Sequence, residues 1–297
     1  MSNIQEKASD QGRKYHTIAT GDALITVKNH EEDEDIILFG ANFCPFVQRA
    51  WVAFEVLGIP YKYYEVDPYK KPQDLLEVSP KGLVPALRFN RFNPPGSLNE
   101  STVIMEYLED LAALKSRKTI LPPTANPYAR ALVRLQVDHV NRSLVPAFYR
   151  YLQAQDEKKQ IESGKEFLES IEKLVGLLER AEREILGGGG AAGDGEVQYF
   201  RKGLGLWIPE EKDLSLTDIM AGPWLYRATI VLAHYRGFQL PPGEKVKGWL
   251  TRVFQHPAFK ATCSTDQLYL DSYERYAFNR PNTSQVANAI NEGRALP

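Results

Sequence analysis

Residues 43–49 of this chain read Phe43-Cys44-Pro45-Phe46-Val47-Gln48-Arg49, and they follow a short apolar run at residues 36–39. The apolar residues after this stretch recur at helical spacing, which predicts a helix that begins within it. Proline is tolerated in the first helical turn, because its missing N–H would have no partner there. The sequence therefore predicts a strand, a turn and then a helix, with Cys44 as the N-cap residue and Pro45 as the first helical residue.

Cys44 is predicted to be a reactive thiol. The free N–H groups and the positive end of the helix dipole favour a thiolate at this position, so we expect a pKa below the usual value of about 8.5. Residue 47 is valine, so Cys44 has no neighbouring cysteine for an internal disulfide and requires a thiol from outside the protein. The alternative is an inert, buried cysteine. We adopt that interpretation for Cys263, which has no comparable sequence context.

The composition argues against several classes of partner. The 297 residues include 36 Lys and Arg against 38 Asp and Glu, a formal net charge of -2, without the basic surplus of a nucleic-acid-binding domain. Cysteine and histidine do not cluster at the spacing of metal ligands, and two distant cysteines fit a reducing compartment. No apolar run has the length of a membrane span or the form of a secretion signal. We expect a cytoplasmic protein that acts on small molecules, without metal, nucleic acid or membrane.

The chain divides into four predicted parts. Residues 1–35 are polar and form an N-terminal arm, which we expect to be mobile. Residues 36–118 alternate strand and helix patterns, which predicts a small α/β domain. Residues 124–280 show helical periodicity alone and contain a glycine-rich insertion at 187–206. Residues 281–297 form a C-terminal tail.

Three further elements of the α/β domain accompany Cys44. Leu83-Val84-Pro85 precedes a predicted strand, and a cis peptide bond at its proline would turn the valine backbone towards a peptide-like ligand. Glu100 and Ser101 open a predicted helix, where free N–H groups and a hydroxyl can hold a carboxylate, and Glu100 can hold an ammonium. Lys71 lies in a polar loop, where it can meet a second carboxylate.

In these elements the sequence resembles the soluble glutathione transferases, and within them the omega class. That class carries a cysteine in a Cys-Pro-Phe motif, which Cys44-Pro45-Phe46 matches. The resemblance implies an α/β thioredoxin-like N-terminal domain followed by an all-α C-terminal domain, in which Ser215 to Asp218 match the family's capping motif. It also implies a glutathione site at the residues that match the family's motifs: Phe46, Lys71, Val84, Pro85, Glu100 and Ser101.

The resemblance implies a glutathione-dependent thiol transferase or reductase. Cys44 would attack a glutathionylated or oxidised substrate, form a mixed disulfide with glutathione and be released by a second glutathione. Glutathione is then the cosubstrate, and a small electrophilic or disulfide compound is the second substrate. Expected substrates are glutathionylated thiols, dehydroascorbate and S-glutathionyl ketones. The family also implies a homodimer.

Two other functions stay open at this point. A glutathionyl-hydroquinone reductase is a related cysteine-bearing enzyme, although its motif has tryptophan at the position of Phe46 in this chain. A non-catalytic glutathione-binding or ligand-binding protein could keep the fold without needing the nucleophile.

The second substrate is expected between Cys44 and the helical domain. Five residues there are candidates for contacting it: Arg130, Arg134, Tyr149, Trp224 and Arg227. We retain Trp224 and Arg227 as the acceptor-site prediction. The arm, the glycine-rich insertion and the tail are expected to leave the glutathione site intact.

Overall fold

The computed structural model describes residues 15–115, 118–187 and 214–297. These residues form a four-stranded sheet with helices packed against it, followed by an assembly of helices. The predicted fold class, a thioredoxin-like domain followed by an all-helical domain, is confirmed. The domain boundaries at residues 36–118 and 124–280 stay a proposal.

The sheet has the strand order β2-β1-β3-β4. Its strands are β1 (Ile36–Gly40), β2 (Lys62–Glu65), β3 (Ala86–Phe89) and β4 (Gly96–Asn99). β1 pairs in parallel with β2 and antiparallel with β3, and β3 pairs antiparallel with β4. Most of β1 is buried, which agrees with its continuous apolar run. β1 thus leads the chain from the middle of the sheet to Cys44.

Four helices accompany the sheet or precede it: α1 (Gly21–Asn29), α2 (Pro45–Leu57), α3 (Gln73–Val78) and α4 (Ser101–Lys115). α2 is almost entirely buried, because it packs against α4 on one side and against the helical domain on the other. It ends at Gly58, whose φ of 64° lies in the left-handed region that glycine adopts without strain.

The helical domain begins at Pro127. Its helices are α5 (Pro127–His139), α6 (Val145–Gln153), α7 (Glu157–Glu182), α8 (Leu216–Arg227), α9 (Ala233–Arg236), α10 (Glu244–Gln255), α11 (Pro257–Lys260), α12 (Asp266–Ala277) and α13 (Gln285–Asn291). The predicted capping box at the start of α8 is present. The Ser215 hydroxyl accepts the Asp218 N–H at 3.2 Å, and the Asp218 carboxylate accepts the Ser215 N–H at 2.9 Å.

A π-helical turn at Val140–Leu144 joins α5 to α6. Pro146 is the second residue after this turn and has no N–H for an ordinary helical hydrogen bond. The N–H of Val145 instead donates to the carbonyl of Val140, five residues earlier. This local widening lies beside the functional cavity described below, and Asn141 and Val145 line that cavity.

The prediction of a mobile arm over residues 1–35 was wrong for residues 21–29, which form α1. Ala23 and Thr26 on this helix are buried. The Ala23 N–H donates to the Cys263 carbonyl at 3.0 Å, and the Thr26 hydroxyl donates to the Ala261 carbonyl at 2.6 Å. These acceptors lie more than 230 residues away in sequence, so the local composition could not indicate that the segment is held in place.

Two other predicted additions have different outcomes. Most of the glycine-rich insertion at 187–206 lies outside the described residues, so its prediction stands as made. The C-terminal tail at 281–297 forms α13 and a final segment that packs on the core. Gln153 on α6 fixes this helix, because its side-chain amide donates to the Ala287 carbonyl at 3.1 Å and to the Asn291 side chain at 3.0 Å.

Candidate functional site

Cys44 occupies the predicted position at the start of α2. Its φ of -74° and ψ of 120° are those of an extended N-cap residue, and Pro45 stands in the first helical turn. The Cys44 carbonyl accepts the Gln48 N–H at 3.1 Å, which closes that turn. The sulfur atom lies 4.0 Å from the carbonyl oxygen of Val84. The thiol is therefore held between the helix N-terminus and the loop that precedes β3.

The lowered pKa predicted for Cys44 is opposed by burial, although the residue is only half-buried. Burial raises the pKa of this thiol, and this effect outweighs the four groups that lower it. Those groups are the backbone N–H groups of Val47 and Phe46 and the positive charges of Arg227 and Arg49. The helix start supplies the expected stabilisation of a thiolate, but removal of solvent from the sulfur depends on packing that the sequence does not reveal.

Val84 and Pro85 lie opposite Cys44. The peptide bond between them is cis, as the resemblance implies. β3 begins at the next residue, Ala86, so the backbone of Val84 stands at the end of the sheet and faces the same cavity as α4.

Glu100 and Ser101 form the entrance to α4. The Glu100 carbonyl accepts the Ile104 N–H at 2.9 Å, so Glu100 is the N-cap residue of this helix. Its φ of 71° lies in the left-handed region, which is unfavourable for a residue other than glycine, asparagine or aspartate. Strained backbone of this kind is frequent at binding sites. The first-turn N–H groups of α4 lack helical partners and can donate hydrogen bonds to an anionic ligand group.

One cavity of about 500 Å³ connects these elements. Its volume lies in the range of about 300–1,000 Å³ that is usual for small-molecule sites. The cavity is lined by Phe46, Arg49, Ser79, Pro80, Lys81, Leu83, Val84, Pro85, Asn99, Glu100, Ser101, Thr102, Asn141, Val145, Val286, Leu296 and Pro297. The structure thus brings five of the six predicted glutathione-binding residues to one cavity, next to Cys44.

Lys71 is the predicted glutathione-binding residue that does not line the cavity, and Cys44 is also not among the lining residues, although its neighbours Phe46 and Val84 are. Its ammonium group donates to the Lys81 carbonyl at 3.3 Å, and its side chain lies against Gly82. Lys81 itself lines the cavity. Lys71 therefore stands just behind the loop at the cavity edge, and its role towards a carboxylate remains a prediction.

Trp224 and Arg227 are completely buried and do not line this cavity. The Trp224 ring packs edge-on against Phe46, with ring centroids 4.8 Å apart. Arg227 uses its guanidinium within the protein, towards Phe43, Gln48 and Pro223. Trp224 therefore packs behind a cavity-lining residue, whereas Arg227 contacts the segment around Cys44, and we do not retain Arg227 as a substrate contact.

The remaining acceptor candidates also have protein partners. Arg130 donates to the Pro122 carbonyl at 2.6 Å, and Arg134 forms a pair with Glu106 at 2.8 Å. Tyr149 is buried in a cluster with other tyrosines, and burial raises its pKa well above the usual value.

Arg49 is a cavity residue that the sequence argument missed. It is 1% exposed, and its guanidinium stacks over Trp224 at 4.2 Å. Its Nε donates to the Met220 carbonyl at 3.0 Å and its Nη1 approaches the Ser101 hydroxyl at 3.5 Å, whereas its Nη2 has no hydrogen-bond partner among the described residues. An arginine on a helix whose residues are mostly apolar was the available signal, since a buried charge requires a reason.

The C-terminal tail contributes to the cavity, contrary to the expectation that it leaves the site intact. Val286, Leu296 and Pro297 form part of the cavity wall. The Gln285 side chain donates to the Lys81 carbonyl at 3.2 Å, which joins the tail to the loop before β3. The tail therefore forms part of the wall of the same cavity as Glu100 and Ser101.

Two searches of the described residues concern other classes of site. Within the ranges 15–115, 118–187 and 214–297 there is no group of three or more His, Cys, Asp and Glu side chains arranged to hold a metal ion. In the same ranges, none of the helices combines the length and the apolar character that crossing a bilayer requires.

Comparison with known proteins places this geometry in a family. The family model of the glutathione S-transferase N-terminal domain matches residues 38–116. The crystal structure of glutathione transferase Omega 3C from Trametes versicolor superposes with a TM-score of 0.68 at 33% sequence identity, covering 88% of this chain and 98% of that one. Glutathione S-transferase omega-1 of Sus scrofa is 24% identical over 82% of this chain and 84% of its own length. Glutathione S-transferase DHAR3 of Arabidopsis thaliana is 28% identical over 74% of this chain and 68% of its own length.

Proposed function

This chain belongs to the glutathione transferase family as an omega-like enzyme, and we propose that it is a glutathione-dependent thiol transferase with Cys44 as its nucleophile. The observation that carries the proposal is the position of the thiol. Cys44 stands at the N-terminus of α2, 4.0 Å from the Val84 carbonyl and beside a cavity with polar groups at one end. A hydroxyl at this position could only polarise the thiol of glutathione, whereas a cysteine can form a disulfide with it.

The cavity offers a partner for each part of glutathione. Glu100 would hold the γ-glutamyl ammonium, while the Ser101 hydroxyl and the first N–H groups of α4 would hold the adjacent carboxylate. The backbone of Val84 would pair with the cysteinyl residue, as one strand pairs with another. Lys71 would meet the glycine carboxylate from the loop edge. Phe46 and Pro85 would then enclose the sulfur end.

The reaction consists of two thiol–disulfide exchanges. The Cys44 thiolate attacks the glutathione sulfur of a mixed disulfide R–S–S–G, a new Cys44–S–S–G bond forms, and RS⁻ leaves and takes a proton from water. The thiolate of a second glutathione then attacks the glutathione sulfur of this intermediate. Glutathione disulfide forms, and Cys44 is released as a thiolate. Two glutathione molecules thereby supply the two electrons that reduce the substrate.

The same nucleophile allows other substrates. The Cys44 thiolate would add to a carbonyl carbon of dehydroascorbate, and the thiolate of glutathione would then attack the Cys44 sulfur, so that the Cys44–glutathione disulfide forms while ascorbate leaves with the bonding electrons and takes up a proton. With an S-glutathionyl ketone, Cys44 would attack the glutathione sulfur, and the carbon group would leave as an enolate that is then protonated. In each case a further glutathione attacks the mixed disulfide, forms glutathione disulfide and regenerates Cys44. Simple conjugation of glutathione to electrophiles should be slow, because Cys44 bonds to glutathione instead of stabilising its thiolate.

The first experiment separates a catalyst from a binding protein. We expect the wild-type protein to turn over the mixed disulfide of glutathione and β-mercaptoethanol, measured by coupling glutathione disulfide formation to glutathione reductase. Cys44→Ala should bind glutathione and be inactive. Glutathione binding without turnover in the wild type would favour a non-catalytic ligand-binding protein.

A second experiment separates the enzyme classes. Turnover of dehydroascorbate and of a glutathionyl-hydroquinone is compared under the same conditions. Preference for the hydroquinone would identify a glutathionyl-hydroquinone reductase and contradict the importance given to Phe46. The homodimer and the cytoplasmic location are proposals from the family, and sedimentation velocity tests the first of them.

A further inference from the structure

Arg227 is a buried cation at the junction of the two domains. It is the last residue of α8, and it is 0% exposed. Its Nε and Nη2 both donate to the carbonyl of Phe43, at 3.2 and 2.9 Å. That carbonyl belongs to the peptide group whose nitrogen is the backbone nitrogen of Cys44. The helical domain thus holds the Phe43–Cys44 peptide group through Arg227.

Arg227 also holds Gln48, which lies four residues after Cys44 on the first turn of α2. Its Nη1 donates to the Gln48 side-chain oxygen at 2.6 Å and to the Pro223 carbonyl at 2.9 Å. The Gln48 amide in turn donates to the Thr262 hydroxyl at 3.1 Å, so the first turn of α2 is tied to a second segment of the helical domain. A single planar guanidinium therefore spans the residues before and after the thiol, which a lysine could not do with the same geometry.

The partners of this guanidinium are neutral. They are two backbone carbonyls and one amide oxygen, and its face stacks on the Tyr269 ring at 4.5 Å. Within the described part of the chain, its hydrogen bonds include none to a carboxylate. A buried charge without a counter-ion is unfavourable unless a nearby group can become an anion. Four ionisable groups lie near this guanidinium: Tyr273, Tyr269, Cys263 and Cys44. Cys44 is the one of the four that stands at the N-cap of a helix, where backbone N–H groups also favour an anion.

We propose that Arg227 is a positioning residue for Cys44: it fixes the Phe43 peptide and the Gln48 side chain around the thiol and directs its positive charge towards the sulfur. Such a residue acts through the nucleophile and needs no contact with the substrate. This role extends the proposed function, since it assumes that Cys44 is the nucleophile.

The test measures the ionisation of Cys44 directly. Alkylation of Cys44 by iodoacetamide is followed by peptide mass spectrometry between about pH 6 and about pH 9.5, because the thiolate is the form that reacts. Arg227→Gln removes the charge, and Arg227→Lys keeps it without the planar fork. Gln48→Glu keeps Arg227 and places a carboxylate against it. Arg275→Gln is the matched control, since Arg275 is also buried but donates to the Pro281 carbonyl.

Other ionisable groups near the sulfur do not obscure this titration. The groups facing it are Arg49 on α2, Tyr63 on β2, Tyr149 on α6, and Tyr273 and Tyr276 on α12. Burial raises the pKa of each tyrosine, so the tyrosines stay neutral over the measured range. Burial lowers the pKa of Arg49 to about 9, which lies inside the measured range. All variants retain this arginine, so the test compares the midpoints of the variants with that of the wild type and does not use the absolute midpoint.

We expect Arg227→Gln and Gln48→Glu to raise the alkylation midpoint by about one pH unit, the usual effect of one nearby charge. Arg227→Lys should return the midpoint close to that of the wild type. At neutral pH, kcat should fall about three- to fourfold in Arg227→Gln, because a roughly tenfold loss of thiolate is partly offset by the greater nucleophilicity of the more basic thiolate. The dissociation constant for glutathione should stay within about twofold, because Arg227 does not line the cavity.

A purely structural role predicts a different outcome. Arg227→Gln would then lower Tm, as Arg275→Gln should, and leave the alkylation midpoint of the folded protein unchanged. That result would overturn the inference, and Gln48→Glu decides the question if Arg227→Gln does not fold. The alkylation measurement requires no turnover. A shifted midpoint in an enzyme that reduces no glutathionylated substrate would therefore refute the proposed function and leave the role of Arg227 intact.

Discussion

Glu100→Gln removes the charge proposed to hold the ammonium of glutathione and retains the shape of the side chain. Glu100 is exposed at the cavity rim, and its backbone caps α4 through the hydrogen bond from Ile104 at 2.9 Å. Glutamine keeps that backbone hydrogen bond and the same φ of 71°. We therefore expect the free energy of unfolding to change by less than about 0.5 kcal/mol, as for most surface substitutions.

The effect on binding should be larger. Hydrogen bonds to charged groups contribute about 1.5–3 kcal/mol, and the exposure of Glu100 favours the lower end of this range. A loss of about 1.5 kcal/mol corresponds to a dissociation constant for glutathione that is about tenfold higher.

A glycine variant separates binding from backbone strain. A left-handed conformation costs a residue with a side chain about 1–2 kcal/mol, and a glycine at that position avoids this cost. Glycine also has more conformational freedom in the unfolded chain, which reduces the gain in stability by about 0.5–1 kcal/mol. Glu100→Gly should therefore raise the free energy of unfolding by about 0.5–1 kcal/mol while weakening glutathione binding at least as much as Glu100→Gln. The two variants thus change affinity in the same direction but differ in stability.

Isothermal titration gives the affinities, and thermal unfolding gives the stabilities. Glu77→Gln is the matched control, because it removes the same charge from an exposed position on α3, near the cavity loop. It should leave the affinity unchanged. Wild-type affinity in Glu100→Gln, or an equal loss in Glu77→Gln, would refute the proposed contact with the ammonium.

Three further predictions concern the nucleophile, its pH dependence and the cavity wall. Cys44→Ala should abolish thiol transfer and leave the affinity for glutathione nearly unchanged, and substantial turnover in this variant would contradict the mechanism. Cys263→Ala should retain most of the activity, because burial raises the pKa of Cys263 to about 12 and keeps it a thiol. Since burial raises the pKa of Cys44, kcat/KM for the disulfide substrate should increase steadily between about pH 6 and about pH 9. A kcat/KM that is constant from about pH 6 upward would show that the N–H groups at the start of α2 lower the pKa of Cys44 more than burial raises it. Leu296→Asn should raise the KM for an aromatic substrate such as S-phenacylglutathione about fivefold, since about 1 kcal/mol of apolar contact is lost. Leu240 is a partly buried leucine outside the cavity, and Leu240→Asn should leave this KM unchanged. Equal effects of both changes on KM would exclude the tail as part of the acceptor site.

Local features of the site were predictable from sequence because they depend on neighbouring residues. Proline after Cys44 places the thiol at a helix start, since proline is accepted in the first turn and disfavoured in later ones. The capping box at Ser215 and Asp218 follows from a similar short-range rule, and both hydrogen bonds are present. The order of strand and helix patterns was sufficient for an α/β domain followed by an all-helical one, and the resemblance supplied the thioredoxin-like topology.

The properties of the thiol that depend on packing could be decided only by the tertiary structure. Whether the pKa of Cys44 rises or falls depends on how much solvent the helical domain excludes, and that domain begins about 80 residues later in the chain. The two buried arginines, Arg49 and Arg227, reach the site through contacts with residues far away in sequence. The tail enters the cavity wall in the same way, through Leu296. Desolvation and charge act through space, so their balance at the sulfur is fixed only when the distant segments have been brought together.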